Sequence, residues 1–185
     1  MSTGIAATLD DLLKVEGKAE LIGGRIVHLM PTGRKPHRVA FRIARCLDDH
    51  ARTTGLGEAY SDNMGFAVPE LASGRRSFSP DAAYYIGPFP ADDMRFVEGP
   101  PTFAVEVRSE NDYGPGPEDD LAAKRADYFE AGTLVVWDVD PEAETVAVYR
   151  PEAPTTPVIY RRGEVAEAET AVPGWRMAVD AIFGG

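Results

Sequence analysis

Apolar side chains recur three and four positions apart at Val39, Ile43, Cys46, Leu47 and Ala51, while Arg38, Arg42, Arg45, Asp48, Asp49 and Arg52 fill most of the remaining helical wheel. That period predicts a long amphipathic helix over residues 37–53, after the breaker run PTGRKP, with one face lying on a sheet. A shorter helix is predicted over 8–17, TLDDLLKVEG, with Thr8 as N-cap, two aspartates in the first turn and Gly17 as the stop. Between them ELIGGRIVHLM reads as a tight hairpin about Gly23-Gly24, since paired glycines supply the positive φ angles of primed turns. Glu20 stands where the first of these strands begins.

From 57 to 86 the pattern changes to short runs rich in β-branched and aromatic residues, interrupted by ELASGRR as a hairpin loop. SFSPDAAYYIG follows as a strand, with Asp81 on the face of Ala83 and Tyr85. GPFPADDMRFVEGPP reads as a surface connection. In PTFAVEVRSEND, Phe103, Val105 and Val107 alternate with Ala104, Glu106 and Arg108, which predicts a strand interrupted by a carboxylate. Residues 117–131, PEDDLAAKRADYFEA, form a helix with proline and acids in its first turn and Gly132 as its stop. TLVVWDVD is a near-continuous apolar strand that pairs with TVAVYR across the turn at Pro141 to Glu144. VIYRRG and VPGWRMAVDAIF supply an edge hairpin and a closing segment. Helices and strands intermingle without a repeat, so the expectation is one α/β or α+β domain over residues 1–185.

Composition narrows the class. The 44% hydrophobic and 26% charged content is that of a soluble globular protein, and no apolar run is long enough to span a bilayer. The opening lacks a basic start followed by an apolar stretch, so a cytoplasmic protein is expected. Cys46 is the one cysteine and lies in the apolar stripe of the long helix, which excludes an internal disulfide and favours a packing role. A net charge of −11 argues against a protein that coats nucleic acid non-specifically, yet leaves room for a local basic surface and a bound cation.

Three acids stand in or beside strands: Glu20, Asp81 and Glu106. Asp81 and Glu106 interrupt successive apolar segments, so two inward-facing carboxylates are expected there. Hard oxygen donors of this kind suit Mg2+ or Mn2+, a cation that polarises a phosphate or lowers the pKa of a water. Acids buried in a structural ion-pair network would leave the same pattern. A cation beside the attacked group would stabilise developing charge. Lys124, three residues after Leu121 and four before Tyr128, is one candidate, and Arg108, on the strand face of Glu106, is the other. His28 and His50 have no partner pattern, and the strand spacing of Tyr84, Tyr85 and Trp137 favours core packing over base stacking.

Taken in order, Glu20 in ELIGGRIV, PDAAY, VEVRS, and a helix carrying Lys124, Tyr128 and Ala131-Gly132 into VVWDVDPEAETVAVYR resemble the putative restriction endonuclease family of the PD-(D/E)XK nuclease superfamily. The resemblance covers about residues 18–150. It implies a restriction-endonuclease-like core, a mixed β-sheet flanked by helices, and cation-dependent hydrolysis of phosphodiester bonds. By position it makes Asp81 and Glu106 the metal ligands, with Glu20 serving a second ion or an intervening water. It also puts Arg108 where the superfamily's plain motif has lysine, and Lys124 where relatives carry a lysine on the following helix. His37 falls where relatives often carry histidine and is a candidate substrate contact together with Arg108. The implied partner is nucleic acid, DNA rather than RNA, with a homodimer suited to cutting both strands and no membrane. Two other readings stay open: a non-catalytic binding module on the same fold, and a glycoside hydrolase using Glu20 and Glu106 without a metal.

Overall fold

A six-stranded mixed sheet is the frame on which the candidate residues are hung, and the computed structural model describes residues 6–184 of the chain around it. Helix α1 (Leu9–Leu12) opens on a capping box in which the Thr8 hydroxyl accepts from the Asp11 N–H and the Asp11 carboxylate accepts from the Thr8 N–H. It ends at Leu13, well before the expected stop at Gly17. Strands β1 (Ala19–Ile22) and β2 (Arg25–His28) form the expected hairpin, with Gly23 at φ 55° and Gly24 at φ 68° making its two-residue turn.

Helix α2 (Arg34–Thr54) begins inside the run expected to break it, because Pro36 falls in the first turn, where a missing N–H costs nothing. Its Val39, Ile43 and Leu47 face the sheet as the periodicity predicts, and Cys46 is half-buried at the edge of that face. The next segments are β3 (Glu58–Ser61), β4 (Phe66–Ala67), β5 (Ser77–Phe78) and β6 (Ala82–Tyr85). SFSPDAAYYIG is therefore two strands in two sheets: β5 pairs with β4 in a small sheet, and β6 enters the central one. The break falls at Ser79-Pro80, since proline offers no N–H to a ladder. The connection after β6 contains a short strand as well, β7 (Val97–Glu98), which runs parallel to β4.

Strand β8 (Phe103–Val107) is followed by helix α3 (Pro115–Ala131), which starts two residues earlier than the sequence suggests. Then come β9 (Val135–Asp140), β10 (Thr145–Arg150), the edge strand β11 (Ala153–Tyr160), the hairpin β12 (Val165–Glu167) and β13 (Arg176–Ala178), and helix α4 (Val179–Phe183). The central order is β11-β10-β9-β8-β6-β3, with only β8 and β9 parallel, joined by the α3 crossover. One face buries Phe103, Val105 and Trp137 against α2 and the C-terminal segments; the other buries Ala104, Val136 and Tyr149 with Phe66, Phe78 and Tyr128. The architecture is the mixed-sheet, helix-flanked fold expected. Among the described residues no helix is long and apolar enough to cross a membrane.

Candidate active site

Strand register brings the two central carboxylates together. In the antiparallel pair β6–β8, Ala83 lies opposite Ala104 and Ala82 opposite Val105, so one step further along the ladder sets Asp81 against Glu106. The Asp81 N–H donates to Val105 O at 3.0 Å, and Asp81 Oδ2 accepts from the Val107 N–H at 2.8 Å. Both side chains point to the α3 side of the sheet, into a cleft of about 680 Å³, with side-chain exposures of 22% and 14%. Alternation explains why Glu106 breaks an apolar strand: Phe103, Val105 and Val107 go to the α2 side and leave Glu106 to the cleft.

Helix α3 turns an unusual face to the sheet. Its buried positions are Arg125, Asp127 and Tyr128, so ionic and aromatic groups replace the expected apolar stripe. Lys124 Nζ lies 2.9 Å from Glu106 Oε1 and 3.1 Å from Glu20 Oε1. One turn on, Tyr128 donates its hydroxyl to Glu106 Oε1 at 2.6 Å, and its ring stacks on Phe78 with centroids 4.1 Å apart. Glu20 is only 2% exposed and fully engaged: Oε1 accepts from the Ser79 N–H at 2.9 Å as well as from Lys124, and Oε2 accepts from Arg75. Arg75 in turn gives Nε to Asp127 Oδ2 at 2.8 Å. Lys18, two residues before Glu20 and facing the same way, bridges Asp81 Oδ1 at 2.7 Å and Asp62 Oδ1 at 2.6 Å.

The electrostatics follow from this crowding. Burial foremost lifts the Glu106 carboxyl above its ordinary value; Lys124 opposes that and the Asp81 carboxylate reinforces it. Burial also penalises the charge on Glu20, but Lys124, Arg75 and the Ser79 N–H outweigh it and hold that carboxyl down. Lys124 loses hydration, yet Glu106 and Glu20 more than compensate and keep it protonated; for Lys18 the compensation comes from Asp81 and Glu106. Burial pushes the Tyr128 hydroxyl well above 10.0, so it remains a donor.

The other expected contacts lie elsewhere. Arg108 grips Asp138 with Nε and Nη2 at 2.8 and 2.7 Å and reaches Glu118 with Nη1 at 2.8 Å. Asp138, which faces Glu106 across the β8–β9 pair, thus takes Arg108 away from the carboxylates. His37 is exposed on the first turn of α2 and does not line the cleft. Sequence reasoning missed Lys18, Asp62, Arg75 and Asp127. The two-residue step from Lys18 to Glu20 carried a signal for the first, whereas Arg75 reaches Glu20 only because a loop folds back over β1.

Among the described residues no three His, Cys, Asp or Glu side chains converge as a ready-made ligand set. The donors at Asp81 and Glu106 nevertheless fit Mg2+ or Mn2+, which take one or two carboxylates and complete their shell with water and substrate oxygens. Burial lifts the Glu106 carboxyl, and the Asp81 carboxylate adds to that, so a cation between the two acids would favour their charged forms.

A crystal structure from Anabaena variabilis, described as a "putative nuclease belonging to DUF820", superposes with a TM-score of 0.73 over 95% of this chain and 97% of that one, at 19% identity. Likeness at that identity establishes the fold. No curated protein matches the sequence. The sequence profile described as "Putative restriction endonuclease", Uma2, matches residues 7–180, from α1 through every element that builds the cleft. A match of that extent makes the chain a member of the Uma2 family, in keeping with the PD-(D/E)XK nuclease features of its sequence.

Proposed function

We propose that this protein is a divalent-cation-dependent nuclease that hydrolyses phosphodiester bonds, with DNA as its substrate. The observation that carries the reading is the Asp81–Glu106 register pair with Lys124 at 2.9 Å from Glu106. Asp81 and Glu106 would hold Mg2+ or Mn2+, which when bound supplies positive charge to polarise the phosphate. Lys124 stays protonated in this setting, so its role is to stabilise charge developing on the phosphate oxygens, not to take a proton. Both Glu20 oxygens already accept hydrogen bonds, so in this reading Glu20 would serve chiefly to hold Lys124 and Arg75 in place. Tyr128 fixes the rotamer of Glu106. Cutting both strands of a duplex calls for two such centres, which a two-fold dimer would supply.

The test is incubation of DNA with Mg2+ or Mn2+ and wild-type, Glu106→Gln or Lys124→Met protein. Expected is cleavage by the wild type, abolished by chelator and reduced by about 10²–10³ in either variant. Equal cleavage by all three proteins sinks the assignment. A second reading, a nuclease fold that only binds, is favoured by the two lysines already seated on Asp81 and Glu106. Calorimetric titration with Mn2+ separates them: a catalytic centre shows binding that Asp81→Asn removes.

A further inference from the structure

Helix α2 carries Arg34, Lys35, Arg38, Arg42 and Arg45 before its first acid, Asp48, in a chain whose formal charge is −11. Elsewhere among the described residues many basic side chains are met by acids, as at Lys18, Arg75, Arg108, Arg150 and Arg162, and those without an acid, Lys14, Arg25, Arg76, Arg161 and Arg176, are scattered over separate elements. Among the described residues the ion pairs of α2 are Lys35 with Glu144 and Arg52 with Asp48, so Arg34, Arg38 and Arg45 have none. All three are exposed.

Their spacing makes them one row. Positions 34, 38, 41 and 45 are separated by four, three and four residues, which stacks them along one helix face, opposite the buried Val39, Ile43 and Leu47. Phe41, at the centre of the row, is 48% exposed and lies beneath the Arg38 guanidinium, 6.0 Å from its ring centroid. An exposed aromatic flanked by unpaired arginines is more than the solvated side of an amphipathic helix requires. The row rises about 16 Å along the axis at 1.5 Å per residue, long enough to face several phosphates of a duplex that carries a charge every ~1.7 Å.

The row starts at the cleft. Met30 and Thr32 line the cleft, and α2 begins at Arg34. Lys35 donates to Pro141 O in the turn after β9, the strand that lies parallel to β8 and ends beside it. The first turn of α2 thus sits by the C-terminal ends of β8 and β9, beside the mouth of the Asp81–Glu106 cleft, and the arginines lead away from that mouth along the opposite face of the sheet.

We propose that the Arg34–Arg38–Phe41–Arg45 face of α2 is a second nucleic-acid contact, a track for the phosphate backbone of duplex DNA that leaves the cleft. It rests on the nuclease reading for the identity of the polyanion. Guanidinium groups on a rigid helix suit phosphate oxygens, which they grip in a fork. Contacts of this kind position a duplex without reading its bases. They also answer how a strongly acidic protein could retain DNA: repulsion by the remaining surface is screened over about 8–10 Å at physiological salt, while the row acts at contact.

The experiment uses Glu106→Gln protein, so that bound DNA stays intact, and follows a fluorescent duplex by anisotropy across a salt series. Against this background, Arg34→Gln/Arg38→Gln/Arg45→Gln is compared with Lys14→Gln/Arg161→Gln/Arg176→Gln, which removes the same charge from exposed residues elsewhere. Expected is a fall of about 2–3 in the slope of log affinity against log salt for the α2 triple, at ~0.9 per lost phosphate contact, and about tenfold or more weaker binding at low salt. The control triple should leave the slope unchanged. Equal effects of the two triples, no effect of the α2 triple, or no duplex binding by the parent overturns the proposal. So does an α2 triple that loses binding to phosphatidylserine vesicles while keeping its DNA affinity. Duplex binding that depends on the row, in a wild type that cuts no DNA, would remove the nuclease reading and leave the track standing.

Discussion

Burial, more than any neighbour, sets the behaviour of Glu106, whose carboxyl lies above the ordinary 4.5 despite Lys124. The folded chain therefore keeps this proton at pH values where the unfolded chain has lost it, and the group's contribution to stability falls as pH rises from 4.5 through the raised value. Glu20 has the opposite sign: its carboxyl is held below 4.5, so its contribution is complete above that pH and is lost as pH falls through the lowered value. Two outcomes follow at this scale. Glu106→Gln should gain stability relative to wild type as pH rises above 4.5, read from urea midpoints. Lys18→Met should move the Glu106 titration, followed by carbon NMR, further upward, because Lys18 is one of the charges holding it down; Mg2+ should move it downward by competing with the proton.

Arg75 ties three elements together, joining the loop before β5 to Glu20 of β1 and Asp127 of α3. Arg75→Met should cost about 3–5 kcal/mol, since it leaves the buried Asp127 carboxylate without its cation and takes one of two cations from Glu20, and urea denaturation measures it. Arg108→Met should cost less, because Arg125 Nη1 still donates to Asp138 Oδ2 at 3.0 Å. Elements with a local cause were legible in advance. The Gly23-Gly24 turn and the apolar face of α2 are written in adjacent residues, and both were found where the pattern puts them. The division of SFSPDAAYYIG between two sheets, and the short β7 inside a proline-rich connection, depend on partners far along the chain. Periodicity carries no information about those. The inward face of α3 escaped a hydrophobic reading because Arg125, Asp127 and Lys124 are buried by pairing instead of by apolarity.

At the scale of the molecule the charge of −11 is unevenly spread. Asp112, Asp120 and Asp127 line the cleft beside Glu20, Asp81 and Glu106 and outnumber its Lys18, Arg75 and Lys124, while α2 gathers unpaired arginines on the opposite face of the sheet. A cleft of that sign repels phosphate unless a cation enters it. Duplex affinity should therefore rise when Ca2+ or Mn2+ replaces monovalent salt at constant ionic strength, and Asp81→Asn should erase the gain, as anisotropy would show.

Local patterns along the chain were enough to place the capped and turn-bounded elements, the mixed helix-and-strand class, and the acids that interrupt apolar strands, because turn chemistry and side-chain period act between near neighbours. The sequence also carried Lys124 and Tyr128 four residues apart on one helix. Which cation meets which acid was set by packing in three dimensions. Register set Asp81 against Glu106, the β8–β9 pairing delivered Asp138 to Arg108 and so left Lys124 to Glu106, and a returning loop gave Glu20 its arginine. Ion pairing acts over a few ångströms in space with no fixed separation in sequence, and for that reason the partners of buried charges appear only once the chain is folded.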